Sequence, residues 1–114
     1  MTITEFQRLI RDTYFDKDSR RGRDGTFRWL VEETGELARA MRKADRANLE
    51  EEFADVFAWL TSLATLEGID MEAAAGKYSD GCPKCRRRPC ACEEAPAVAE
   101  AVRRNNDNLF RGGN

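Results

Sequence analysis

Residues 26–41 read TFRWLVEETGELARAM. Phe27, Leu30, Val31, Thr34, Leu37, Ala38 and Met41 recur at three- and four-residue intervals. That is the period of an amphipathic helix, not the alternation of a strand. Thr26 is its expected N-cap. The same period runs through Ile3, Phe6, Leu9, Ile10 and Tyr14, with Thr2 or Thr4 as cap. It returns through Leu49, Phe53, Val56, Phe57, Leu60, Leu63 and Ala64, where Asn48 is the expected cap and Gly68 the stop. DMEAAAGKY (70–78) reads as a short fourth helix capped by Asp70. KDSRRGRDG (17–25), with two glycines and a run of charge, reads as a loop. No strand alternation and no internal repeat occurs, so the fold class is all-α: a bundle of three long helices and a short fourth. It occupies residues 1–80, followed by a cysteine segment (81–92) and a C-terminal helical segment ending in a flexible tail (93–114).

The composition narrows the function. The chain has 114 residues, 35% of them charged, with a formal net charge of −2. That balance argues against a general nucleic-acid binder. There is no histidine, which excludes Ser-His and Cys-His nucleophilic centres and restricts metal ligands to Cys, Asp and Glu. The N-terminal stretch lacks the apolar core of a signal peptide, and no segment is long enough to span a membrane. The expected location is the cytoplasm, where thiols stay reduced.

Two helices carry the acidic residues of interest, EETGE (32–36) and EEEFAD (50–55). On a helical wheel with Phe27 at zero, Glu33 falls at roughly 240° and Glu36 at roughly 180°, flanking the apolar stripe. With Leu49 at zero, Glu52 lies at roughly 300° between Val56 and Trp59, and Asp55 at roughly 240°. A carboxylate bracketed by apolar neighbours needs a cation or a proton. Two i, i+3 pairs on antiparallel helices make an oxygen cage for a hard cation such as Mg²⁺ or Mn²⁺. The competing reading is a salt-bridged surface neutralised by Arg39, Arg42, Lys43 and Arg46.

WLVEETGELARAM followed by LEEEFADVFAWL resembles the MazG-like nucleoside triphosphate pyrophosphohydrolases, of the all-α NTP pyrophosphatase group. The family signature is EExxE, a gap, then ExxD. It is matched here by Glu32, Glu33 and Glu36, fifteen intervening residues, then Glu52 and Asp55. The resemblance covers roughly residues 1–80. It implies hydrolysis of NTP or dNTP at the α–β linkage to a monophosphate and pyrophosphate. It further implies Mg²⁺ (or Mn²⁺) held by Glu33, Glu36, Glu52 and Asp55, with Glu32 as the base acting on water. It points to Lys77 as a phosphate-binding lysine, although Ala75 stands where the family often has asparagine. Trp29, at roughly 200° and on the side of the glutamates, suits stacking on a nucleobase or burial against the first helix or a second subunit. Arg20, Arg21 and Arg23 are placed either to reach phosphate or to remain solvated.

All four cysteines lie in GCPKCRRRPCAC (81–92), spaced Cys82-x₂-Cys85-x₄-Cys90-x-Cys92. Two close thiol pairs suit one tetrahedral Zn²⁺, against the alternatives of a redox pair, disulfides or an iron–sulfur cluster. Four thiolates would fill the zinc shell, making the site structural rather than catalytic. Arg86, Arg87 and Arg88 form the tip, either offsetting the tetrathiolate charge or contacting phosphate. The apolar stripes exceed what one small chain can cover, so a homodimer or dimer of dimers is expected. The rival reading is a zinc-knuckle module that binds nucleic acid or protein on a helical scaffold without turnover.

Overall fold

The computed structural model describes residues 1–93 and 97–111. Contacts divide the chain into two compact units, Met1–Lys77 and Tyr78–Asn114. Helices make up all the regular structure among the described residues, as the periodicity predicts.

In the first unit, α1 (Ile3–Lys43) starts at a capping box. The Glu5 amide donates to Thr2 Oγ1 at 3.1 Å, and the Thr2 amide donates to Glu5 Oε2 at 3.2 Å. The helix closes at Ala44, whose left-handed φ of 54° lets its N–H reach Ala40 O and Met41 O. α2 (Arg46–Leu66) is capped by Asp45, and α3 (Met71–Ala75) by Asp70, before a 3₁₀ turn at Gly76–Tyr78. Asn48 is therefore not the α2 cap; it donates its amide to Asp45 Oδ1 at 3.4 Å.

The expected loop at 17–25 is also corrected, because the chain stays helical through it except at Gly22. Gly22 has φ 80° and ψ 174°, a conformation essentially open only to glycine. One residue thus separates an N-terminal arm (3–21) from a C-terminal arm (23–43). The charge run is not solvated loop. Asp18 is buried and accepts from Arg21 Nη1 at 2.8 Å, one helical turn away. Thr26 is not a cap either; it is wholly buried inside the helix, where its hydroxyl accepts from Arg21 Nη1 at 3.4 Å.

The C-terminal arm runs antiparallel to α2. Arg23 pairs with Glu67 at 2.8 Å, Trp29 stacks on Trp59 with ring centroids 5.6 Å apart, and Glu33 meets Glu52 and Asp55. The N-terminal arm joins through Phe6, whose ring is 4.8 Å from that of Phe57, and through Gln7. Gln7 donates to Thr65 Oγ1 (3.1 Å) and Ile69 O (2.8 Å) and accepts from the Met71 amide (2.9 Å). It thereby ties both ends of the turn after α2 to α1.

This layer covers little of its own apolar surface. Ile10 and Ala40 are the buried apolar side chains among the described residues. Phe27, Val31 and Phe53, which the periodicity assigns to packed stripes, are 53%, 55% and 59% exposed. The stripes exist, but one helix against two arms cannot enclose them.

In the second unit, the cysteine segment precedes α4 (Ala97–Asn108). The expected C-terminal tail at 112–114 and the link at 94–96 lie outside the described residues.

Candidate active site and cysteine cluster

Antiparallel packing of the C-terminal arm against α2 brings three of the four predicted metal-ligating acids together. One carboxylate oxygen each from Glu33, Glu52 and Asp55 lies within 4.8 Å of the others. Opposite corners of a magnesium octahedron, with bonds of about 2.1 Å, are about 4.2 Å apart. Small side-chain adjustments therefore let one ion bridge all three. Glu33 and Glu52 are half-buried and Asp55 is exposed, so the cluster opens to solvent on one side.

Two observations show that this is not an ordinary salt-bridged face. Glu52 Oε2 is buried and has no hydrogen-bond partner, a costly state for a carboxylate oxygen. The ion pairs among the described residues engage Asp12, Asp18 and Glu67 instead, leaving Arg39, Arg42, Lys43 and Arg46 out of the cluster. Partial burial pushes the Glu33 carboxyl above its usual range. The charges of Asp55 and Glu52, and more weakly Glu36, push the same way, while a hydrogen bond from Trp59 opposes them. Three acids thus crowd together without a protein cation.

The remaining sequence-selected residues occupy different places. Glu36 is half-buried and lies outside the converging trio, although its charge reaches Glu33. Glu32 is exposed on the neighbouring position of the arm. Lys77 is exposed at the 3₁₀ turn ending the first unit. Trp29 is 44% exposed, with one face on Trp59 rather than on the first helical arm.

Beside the trio lies a cavity of roughly 310 Å³ whose wall includes Asp55, Trp59, Ser62, Lys17 and Arg21. Arg21 lies over the Trp59 ring at 4.8 Å. The sequence groups Arg21 with Arg20 and Arg23 in a charged loop. The signal that singles it out is the Asp18–Arg21 spacing of three, which pairs the two side chains only if the segment is helical.

The four cysteines form a second constellation. Their sulfurs all lie within 4.8 Å of one another, with Cys82 and Cys92 at 3.7 Å and Cys85 and Cys90 at 3.8 Å. These are free thiols, not disulfides. The edge of a tetrahedron with metal–sulfur bonds of about 2.3 Å is about 3.8 Å, so the arrangement can hold a metal ion. Backbone amides point at the sulfurs: Ala91 N–H donates to Cys85 Sγ and Cys92 N–H to Cys90 Sγ, both at 3.3 Å. The amides of Cys85 and Lys84 draw the Cys82 thiol down to about 6. Hydrogen bonding with Cys90, then Cys82 and Cys85, holds the Cys92 thiol up at about 12.

No curated protein matches the chain. The profile of the MazG nucleotide pyrophosphohydrolase domain matches residues 21–89. That span runs from the last residue before the kink, across every acidic residue of the signature, to the edge of the last cysteine pair. It covers more than half of the sequence, and the helical architecture agrees with it. The chain belongs to the MazG nucleotide pyrophosphohydrolase domain family.

Proposed function

We propose that this protein hydrolyses nucleoside or deoxynucleoside triphosphates at the α–β linkage, releasing the monophosphate and pyrophosphate. The observation that carries the reading is the orphaned Glu52 oxygen inside a converging trio of carboxylates. A polyanionic substrate cannot approach three acids unless cations intervene. Glu33, Glu52 and Asp55, with Glu36 alongside, are the residues that would hold Mg²⁺ or Mn²⁺. When bound, such a cation neutralises the triphosphate, stabilises charge on the phosphoryl oxygens and acidifies water.

The chain's own groups then have distinct tasks. Glu32 accepts a proton from water as the water oxygen bonds to the α-phosphorus. The bridging α–β P–O bond breaks, and its electron pair leaves with pyrophosphate. Lys77 supplies positive charge to phosphate, and the open face of Trp29 supplies an aromatic surface for the base. No helix among the described residues is long and apolar enough to cross a membrane. Free thiols in the cysteine cluster suit the reducing cytoplasm.

The second unit is read as a structural zinc site. Four thiolates at tetrahedral spacing leave zinc no open position for water. The exposed Phe27, Val31 and Phe53 on the bundle support a homodimer or dimer of dimers, since covering apolar area gains about 25 cal/mol per Å².

Three measurements test these assignments. Pyrophosphate release over the common NTPs and dNTPs with Mg²⁺ should show turnover. Glu52→Gln and Glu32→Gln should each lower kcat by about two orders of magnitude or more. No turnover, or variants as fast as the wild type, would reject the reading. Metal analysis should find one zinc per chain, lost in Cys82→Ser together with thermal stability. A Cys82→Ser protein that stays folded yet loses turnover selectively would contradict a structural role. Light scattering at micromolar concentration should give a dimer or larger, and a monomer would contradict the shared core.

A further inference from the structure

The cavity next to the acidic trio is built mainly by the N-terminal arm of α1 and by α2. Asp55 belongs both to the trio and to the cavity wall. A ligand anchored at the trio therefore continues directly into this space. Lys17 and Arg21, one helical turn apart, place two cations in the wall. The one other acid there, Asp18, is 5% exposed and already taken by Arg21.

Arg21 is held from several sides. Its Nη1 donates to Asp18 Oδ1 at 2.8 Å and to Thr26 Oγ1 at 3.4 Å, and its guanidinium lies over Trp59. Its stem lies against the backbone of Gly25, where an added Cβ would come within 2.7 Å of Arg21 Cγ. All its hydrogen bonds among the described residues run through Nη1. The Nε and Nη2 donors stay available, in a fixed plane suited to paired phosphoryl oxygens. A buried ion pair of this kind is weak support for stability, so a placed charge is the better account of it. Tyr14, Lys17 and Asp18 precede the segment matched by the family profile, which therefore assigns them nothing.

We propose that Lys17 and Arg21 bind the β,γ-diphosphate half of the substrate, the part that leaves as pyrophosphate. Asp18 is a positioning residue for Arg21, and Gly25 leaves room for its stem. A neutral nucleobase has no need of two cations, whereas a terminal diphosphate carries the charge they match. This assignment rests on the pyrophosphohydrolase reading above.

The test is calorimetric titration of the protein with inorganic pyrophosphate and Mg²⁺, and separately with a nucleoside monophosphate. Lys17→Met and Arg21→Gln should weaken pyrophosphate binding about tenfold or more, the loss expected for one charge-assisted hydrogen bond. Gly25→Ala should weaken it too, although it removes no charge. Monophosphate affinity should be unchanged in all three. If Arg21→Gln fails to fold because Asp18 is stranded, the exposed Lys17→Met and the Gly25→Ala variant carry the test. The proposal is overturned if the wild type does not bind pyrophosphate, or if Lys17→Met and Gly25→Ala bind it normally. It is equally overturned if monophosphate affinity falls instead, since the cavity would then hold the nucleoside. A wild type that turns over triphosphates while failing this test leaves the activity standing and removes only the diphosphate site.

Discussion

Glu33, Glu52 and Asp55 bring carboxylate oxygens within 4.8 Å of one another, and one oxygen of Glu52 is buried without a partner. Like charges at that spacing oppose the packing that creates them. The antiparallel seam between the C-terminal arm of α1 and α2 must therefore be held by other contacts. The Trp29–Trp59 stack lies beside the acids, and Arg23 pairs with Glu67 at the far end of the seam. The repulsion persists because the scaffold enforces it. In the proposed reading, a bound cation would offset this repulsion.

The aromatic stack also connects the acidic trio to the neighbouring cavity. Trp59 touches Trp29 and Arg21, lines the cavity, and acts on Glu33 through its side chain. Negative and positive walls thus meet along one helix, α2, through Asp55 and Trp59. The kink at Gly22 makes this possible, because it ends the arm carrying Lys17 and Arg21 and starts the arm carrying Glu33 without spending residues on a loop.

Much of the helical unit was legible in the sequence. The helix periods, the Asp70 cap and the stop at Gly68 follow from local patterns that act within a few residues, and of the two threonines the sequence offers as the first cap, Thr2 takes the role. The partial burial of Glu52 was legible as well, because a helical wheel places it between Val56 and Trp59. The segment at 17–25 reads as a loop because glycine and charge are common in loops, whereas in the structure Asp18 and Arg21 satisfy each other inside the helix. Thr26 and Asn48 were misassigned as caps for a related reason. A cap is defined by where the backbone leaves the helix, and side-chain chemistry only suggests it. The exposed stripes expose a further limit: periodicity tells which face is apolar and not what covers it. The cysteine spacing did convey its geometry, since short intervals leave four thiols few ways to avoid one another.

The carboxylate trio is proposed to be a divalent cation site whose key oxygen belongs to Glu52. Titration with Mn²⁺, followed by the loss of its free-ion electron paramagnetic resonance signal, tests that claim without depending on turnover. Saturable binding is predicted for the wild type and for Cys82→Ser, and its loss for a folded Glu52→Gln. A Glu52→Gln protein that binds Mn²⁺ as the wild type does, or a wild type that binds none, would contradict the account.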